Sequence, residues 1–105
     1  MRIIIWSKTL ESGKEELERI LFGYQKLNIE IAERKDFRDD IRVVFKNGHY
    51  IRVIPARESM RGVKCNISIV ERSIDQEFFD CIIRACTSVP PFQAFRFFGE
   101  GELIL

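Results

Sequence analysis

The chain has 105 residues, 46% of them hydrophobic and 31% charged, and its formal net charge is +1. This composition is typical of a single folded domain over residues 1–105 and excludes a disordered segment. No apolar run approaches the roughly 18–20 residues of a membrane span, so no membrane is expected as a partner. The N-terminal apolar run is also too short for a signal peptide.

The cysteine and histidine content predicts no metal site and no cofactor. Cys65, Cys81 and Cys86 are odd in number and form no Cys-x-x-Cys motif, and His49 is the single histidine. With one histidine and no Cys-x-x-Cys motif, a structural zinc site is not expected. An odd count at these spacings is also atypical of a disulfide framework, which predicts a reducing, cytoplasmic compartment.

Charge is distributed unevenly along the chain. Residues 1–33 hold five basic and six acidic side chains, residues 34–64 hold nine and four, and residues 65–105 hold three and six. The middle third therefore predicts a basic surface for nucleic acid or another anion. The alternative is a solvated surface whose charges pair with the acidic helices on either side. The basic residues assigned to this surface are Arg42, Lys46, Arg52, Arg57, Arg61 and Lys64.

The N-terminal third predicts a helix followed by a strand. Apolar residues recur with helical spacing, which indicates a helix over about 13–26. Ser12 and Glu15 have the spacing of a capping box at its start. The alternation over 28–32 predicts a strand, and the charged residues up to Asp40 are interpreted as a linker.

Residues 41–54 predict an antiparallel hairpin. Asn47-Gly48 lies between two apolar runs, and both residues tolerate the positive φ of a two-residue turn. A turn of that length sets Phe45 opposite Tyr50. In this register Arg52 belongs to the core-facing side of the hairpin, at its rim.

Two further apolar runs complete the predicted sheet. Residues 3–6 and 65–70 are interpreted as buried strands, and a second helix is predicted over about 74–87, with Ser73 and Gln76 at capping-box spacing. The sequence thus predicts an α/β domain, with a mixed sheet that contains the antiparallel hairpin and with two main helices packed against it.

The C-terminal segment concentrates aromatic side chains after two prolines. Core packing is the default interpretation of such residues. If the sheet leaves them outside, they predict a protein interface or a homodimer surface. The segment is predicted to form either a second hairpin with a glycine turn or a loop and a final strand. The residues concerned are Phe92, Phe95, Phe97 and Phe98.

Ser12-Gly13-Lys14 invites comparison with the phosphate-binding loop G-x-x-x-x-G-K-[ST]. Gly13 and Lys14 match this motif. Lys8 stands where the first glycine is needed, and Glu15 stands where the magnesium-binding hydroxyl is needed. A carboxylate there would repel nucleotide phosphates, and the capping box accounts for Ser12 and Glu15 without a ligand. The two interpretations are a degenerate phosphate loop and coincidence.

Three short motifs resemble the ATPase domain of viral large terminase subunits: Phe45–Ile51, Arg61-Gly62 and Ile67–Arg72. In that family the last strand ends in Asp-Glu, whereas here it ends in Glu71-Arg72. Arg72 keeps its proton and has no acceptor, so it cannot replace a water-polarising glutamate. The resemblance implies a trimmed, inactive relative of phage or prophage origin. Its fold would place residues 3–6 and 66–70 as adjacent parallel strands.

We therefore predict no catalytic residues and a non-catalytic binding module that contacts nucleic acid or protein through the basic hairpin and the loop after it. The alternative is a protein-interaction or inhibitor module that uses the phenylalanine-rich segment, as a homodimer in one version. A third hypothesis is a small enzyme that uses Glu71, although the sequence offers no catalytic partner for it.

Overall fold

The structure is a computed structural model that describes residues 1–57, 62–90 and 93–101. Arg61, Phe92 and residues 102–105 lie outside the described residues. The second helix is formed by three consecutive segments, of which the middle one is π-helical. The elements are β1 (Arg2–Ser7), α1 (Leu10–Lys26), β2 (Ile31–Asp36), β3 (Ile41–Phe45), β4 (Tyr50–Pro55), β5 (Ile67–Glu71), α2 (Gln76–Phe78), the π segment (Phe79–Ile83), α3 (Arg84–Cys86) and β6 (Ala94–Phe98).

The six described strands form one mixed sheet in the order β2-β3-β4-β1-β5-β6. β1 pairs in parallel with β4 and β5, and β5 pairs in parallel with β6. β2, β3 and β4 form an antiparallel meander. The predicted fold class is confirmed, and β1 and β5 are the adjacent parallel strands that the resemblance implies.

The two helices lie on opposite faces of the sheet. Side chains alternate along β1, so Ile3 and Ile5 pack with Leu17 of α1 while Ile4 and Trp6 pack with the second helix. All of these β1 side chains are buried, as expected for a central parallel strand covered on both faces.

α1 begins earlier than predicted. Thr9 is its N-cap: the Thr9 hydroxyl accepts from the Ser12 N–H at 3.1 Å, and the Ser12 hydroxyl accepts from the Thr9 N–H at 3.4 Å. The predicted capping box of Ser12 and Glu15 is therefore wrong. The helix starts within two residues of β1, which places Ser12 inside its first turn.

β2 covers residues 33–36, half of the segment interpreted as a charged linker, so both the predicted strand over 28–32 and the linker are wrong in their bounds. Asn28 adopts φ 58° just after α1, and the chain becomes extended only at Ile31. The charges of the strand are paired within the strand and with α1, because Arg34 contacts Asp36 and Glu18, each at 2.8 Å. A bulge at Ala32 interrupts the pairing with β3.

The hairpin exists, but its predicted register is wrong by one residue. Val44 pairs with Tyr50, and the loop has three residues, in which Gly48 alone has positive φ (89°). Three-residue hairpin loops with glycine in the left-handed region are a common alternative to the two-residue turn. A one-residue slip reverses the faces, so Arg52 lies opposite Arg42 on the face away from α1.

The second helix begins after Asp75, without a side-chain cap. The predicted cap by Ser73 and Gln76 is wrong, since the Gln76 amide bonds Asp80 one turn later. The predicted span of about 74–87 is otherwise close to the observed one. Its C-terminal end is fixed by a buried hydrogen bond of 2.6 Å between the hydroxyls of Thr87 and Ser68.

The phenylalanine-rich segment contributes a strand to the main sheet. β6 pairs in parallel with β5 in a register that sets Ile67 against Ala94 and Glu71 against Phe98. In the described part of the chain, the segment therefore forms the strand that one of the two predicted alternatives requires. The second half of the predicted hairpin falls on residues outside the described part of the chain.

Candidate functional site

The first candidate site is the crevice where β1 and β5 end. From β1 the chain turns to α1 on one face, and from β5 it turns to the second helix on the other face. Adjacent parallel strands whose connections diverge in this way leave a crevice at their carboxyl ends, which is where open α/β sheets bind ligands. We call this place the switch crevice; its residues are Lys8, Ser12, Glu71, Arg72 and Ser73.

The carboxylate of Glu71 occupies the switch crevice. Its Oε1 accepts from the Lys8 N–H at 2.9 Å and from the Ser12 hydroxyl at 2.7 Å. Its Oε2 accepts from the Ser73 hydroxyl at 3.3 Å. Donors from the turn after β1, from the first turn of α1 and from the turn after β5 thus surround one carboxylate, so the chain's own anion lies beside the positive end of the α1 dipole.

The residues compared with a phosphate-binding loop are split between a turn and a helix. Lys8 lies in the two-residue turn after β1, whereas Ser12, Gly13 and Lys14 lie inside α1. A Cβ on Gly13 would overlap with the side chain of Val53, so glycine lets the helix approach the sheet. Lys14 Nζ lies 4.0 Å from the Asp36 carboxylate. The degenerate phosphate loop stays a prediction.

Arg72 turns away from Glu71. Its Nη1 donates to the carbonyl of Gly99 at 2.9 Å, and its backbone N–H donates to the Phe98 carbonyl at 2.9 Å. The side chain therefore holds the end of β6 against the turn after β5. The two residues predicted as a degenerate acid pair serve different contacts, and their descent from a metal-binding pair stays a prediction.

The second candidate site lies on the meander, on the face away from α1, around one buried carboxylate. Asp40 is 8% exposed. It accepts from Arg42 Nε at 2.8 Å and from Arg52 Nε at 3.0 and 3.1 Å, and Arg52 Nη2 lies 3.0 Å away. The pKa of Arg42 is raised, chiefly by its hydrogen bond to Asp40. Two guanidinium groups therefore share one carboxylate.

Arg57 adds a third guanidinium to this place. Its Nη2 donates to the backbone carbonyl of Asp39 at 3.3 Å, while its buried Nε has no hydrogen-bond partner in the described part of the chain. Among the described residues, guanidinium donors thus outnumber the acceptors around them. We call Asp40, Arg42, Arg52 and Arg57 the arginine cluster.

The other predicted basic residues lie apart from the arginine cluster. Lys46 stands at the hairpin tip, about 13 Å along the strand from Arg42, and it pairs with Glu30 at 2.6 Å. This contact raises the pKa of Lys46 and lowers the pKa of Glu30. Lys64 is exposed in the segment before β5. The structure brings Arg42, Arg52 and Arg57 together and leaves these two lysines outside.

Sequence reasoning missed Asp40 and Lys35. Both were assigned to the linker, yet Asp40 organises the arginine cluster and Lys35 is the register partner of Arg42 on β2. Lys35, Arg42 and Arg52 consequently form one basic row across three strands. No apolar alternation marks β2, because five of its six side chains are exposed.

The phenylalanines of β6 pack mainly on the protein itself. Phe95 and Phe97 lie against Phe79, with ring centroids 5.4 and 5.8 Å apart. Phe98 is 9% exposed and joins the core on the α1 face. The interface role predicted for these residues and for Phe92 stays a prediction.

A groove of about 690 Å³ lies between α1 and β2. Phe22 and Ile31 line it and are 60% and 42% exposed, and the exposed Leu27 follows at the end of α1. In residues 1–57, 62–90 and 93–101, no group of three His, Cys, Asp or Glu side chains is arranged to hold a metal ion. No helix over the same ranges has the length and apolarity needed to span a bilayer.

The fold is similar to part of a large terminase. A structure of the large terminase from a thermophilic bacteriophage superposes with TM-score 0.66 at 12% identity, over 91% of this chain and 25% of that one. Its complex with ADP gives 0.64 at 12% identity, and a further crystal form gives 0.62 at 15%. No protein-family model and no curated protein matched the sequence. The chain has a terminase-like fold and spans about a quarter of that terminase's length.

Proposed function

We propose that this protein is a non-catalytic binding module, phage-related and built on a P-loop-like scaffold, that contacts nucleic acid through the arginine cluster. The observation that carries the proposal is that two guanidinium groups share the buried carboxylate of Asp40, with a third bound to the neighbouring backbone carbonyl of Asp39. Arginine suits phosphate because its planar fork donates two parallel hydrogen bonds.

The hydrogen bonds within the switch crevice support the absence of catalysis. Nucleotide hydrolysis needs backbone N–H groups and a lysine around the phosphates, and acidic residues on magnesium. Here the Lys8 N–H and the Ser12 hydroxyl already bind Glu71, and Arg72 contacts Gly99. A nucleotide phosphate would have to displace a carboxylate that is tethered beside these donors.

The charge of the meander supports a polyanionic partner. The basic row continues from the arginine cluster to Lys35 across neighbouring strands, which lie about 4.8 Å apart. A row of positive charges along one surface is the electrostatic footprint of a protein that binds a phosphate backbone. The excess of basic over acidic residues in 34–64 agrees with this assignment.

Salt-dependent binding tests the proposal. Fluorescence anisotropy with a labelled oligonucleotide should show affinity falling steeply with added salt. Arg42→Ala and Arg57→Ala should each weaken binding about tenfold and lower the salt slope by about one. Lys46→Ala, an equal charge change at the hairpin tip, is the matched control and should have little effect. Salt-insensitive binding, or equal losses in all three variants, contradicts the proposal.

The absence of catalysis is tested separately by ATP turnover in the presence of magnesium. We expect no hydrolysis above the background of the buffer. Clear hydrolysis that Lys14→Ala abolishes would show a working phosphate site and overturn the non-catalytic assignment.

A protein-interaction module is the second candidate function. The observation that favours it is the groove beside α1, because the exposed side chains of Phe22 and Ile31 line one concave surface. Light scattering at several concentrations tests for a homodimer. Phe22→Ser should abolish association through this groove, whereas Phe97→Ser should abolish association through β6.

A further inference from the structure

We propose that the meander face prefers single-stranded nucleic acid, with phosphates bound by the arginine cluster and bases stacked on the aromatic rings beside it. This inference rests on the proposed function and specifies its ligand. The observation behind it is an exposed aromatic ring in contact with the arginine cluster: Phe37 is 47% exposed, and the guanidinium of Arg42 lies 5.3 Å from its centroid.

A second aromatic ring lies on the other side of the arginines. Tyr50 is the register partner of Val44, two residues along β3 from Arg42, so it shares the face of Arg42. Two residues span about 7 Å along a strand. Tyr50 is only partly buried. The face therefore presents an aromatic ring, a basic row and a second aromatic ring in succession.

This face is uncovered in the described part of the chain. The second helix packs on β1, β5, β6 and Ile54. Neither hydrophobic cluster includes Val44 or Tyr50, and both side chains remain partly exposed. A ligand can therefore approach the meander across these strands.

The mixture of rings and guanidiniums favours a single strand over a duplex. In a duplex the faces of the bases are stacked on each other, so a protein surface meets phosphates and base edges but no base face. In a single strand the unstacked bases offer their faces to aromatic side chains while the backbone follows the positive charge. The exposed ring of Phe37 contacts Arg42 and also offers a face on which a base can stack.

Arg57 carries an unsatisfied donor at the arginine cluster. Its Nε is buried and has no hydrogen-bond partner among the described residues, although buried polar atoms are nearly always paired. The same side chain is fixed through Nη2 to the Asp39 carbonyl. Because this Nε is buried, an acceptor supplied by a ligand would reach it only after the groups that cover it shift.

The test compares a labelled 15-nucleotide single strand with the same strand annealed to its complement. The full chain should bind the single strand about tenfold more tightly than the duplex. Phe37→Ala should weaken single-strand binding about tenfold, in the range found for loss of one stacked base, and leave duplex binding unchanged. Phe22→Ala removes an exposed ring from α1 and is the matched control.

The following outcomes would overturn the inference. Equal affinity for the two forms, or single-strand binding that survives Phe37→Ala, overturns it while the proposed function stands. Binding of neither form overturns both. Equally tight binding of a labelled polyglutamate peptide, insensitive to Phe37→Ala, also overturns the inference and identifies an acidic protein partner. If Phe37→Ala is unfolded by circular dichroism, Phe37→Leu preserves the packing while removing the ring.

Discussion

Each candidate site is organised by one carboxylate, and the two sites differ in how many charged donors surround it. Glu71 in the switch crevice meets three donors, none of them a charged group. Asp40 in the arginine cluster meets two guanidinium groups, with a third beside it. The first carboxylate leaves a site that is already occupied by an anion. The arginine cluster, by contrast, carries more positive than negative charge.

A position at the sheet edge where ligands usually bind is therefore not sufficient to make a binding site. The switch crevice has the favoured position, but its donors are used internally. The arginine cluster lies on a sheet face, where the fold alone would not indicate a ligand, but it retains donors and charge. Because the arginine cluster retains donors and charge, the meander is a better candidate binding site than the switch crevice.

Asp40→Ala should have the largest effect on stability, because it removes the shared partner of two arginines. Losing one member of a buried ion pair costs about 3–5 kcal/mol. Here a loss of about 2–3 kcal/mol is expected, because the side chains of Asp40 and Arg52 keep 12% and 17% exposure to water. Urea denaturation measures this loss.

Asp39→Ala is the matched control for this prediction. Asp39 contributes its backbone carbonyl, rather than its carboxylate, to the contact with Arg57. A loss for Asp39→Ala as large as for Asp40→Ala would show that the arginine cluster does not depend on the Asp40 carboxylate.

Gly13→Ala, in α1 beside the switch crevice, should lower the free energy of unfolding by about 1–2 kcal/mol. A helical alanine gains up to about 1 kcal/mol over glycine, but overpacking typically costs about 1–3 kcal/mol. The new Cβ would overlap with Cγ1 of Val53 and lie 2.5 Å from Oγ of Ser7, so the clash outweighs the gain.

Gly23→Ala, in the same helix, is the control, because no atom lies within 4 Å of its added Cβ. It should stabilise the protein by about 0.5–1 kcal/mol in thermal or urea denaturation. Stabilisation by both substitutions would mean that α1 does not sit as close to β1 and β4 as the structure indicates.

Glu71→Ala should lower the free energy of unfolding by about 1 kcal/mol, less than Asp40→Ala. Its partners are a backbone N–H and hydroxyl groups that water can reach and solvate after the change. Glu77→Ala, at an exposed position of α2, should be neutral. An effect of Glu71→Ala that exceeds that of Asp40→Ala would reverse the ranking of the two sites.

The Glu30–Lys46 pair should give the smallest effect, visible as a pH dependence. Lys46 lowers the pKa of Glu30 below 4.5, so the contribution of Glu30 is present above pH 4.5 and is lost as the pH falls through its folded pKa. The pKa of Lys46 is raised above 10.5, so its contribution is present below pH 10.5 and is lost as the pH rises through its folded pKa.

Stability measured from about pH 2 to 6, the range that spans carboxylate titration, checks this prediction. Lys46→Ala should reduce the loss of stability on acidification, whereas Lys64→Ala should leave the profile unchanged. An identical acid profile for wild type and Lys46→Ala would show that the pair contributes nothing measurable, as many exposed ion pairs do.

The sequence predicted the elements whose signal is local. The apolar run of β1, the helical periodicity of α1 and the glycine of the 41–54 hairpin all identified the correct structures. The alternation of hydrophobic residues within a strand and the spacing within a helix survive folding, because they reflect contacts with a single core face.

Some failures came from contacts that are distant in sequence, and others came from the conformation of a turn. The charged strand β2 looked like a linker, because its charges are satisfied in part by α1 rather than by its neighbours in the chain. The register of the hairpin depended on whether one or two loop residues take positive φ. The arginine cluster could be predicted as basic residues, but its organiser, Asp40, carries no local signal.

The bulge at Ala32 has a consequence for how copies of this protein behave near one another. β2 is an outermost strand of the described sheet, so its outer edge carries amide and carbonyl groups that would template pairing between molecules. The extra residue twists that edge, and pairing with another strand would bury the charged side chains of residues 33–36, which is costly. Removing Ala32 would straighten the strand and favour fibril growth from that side.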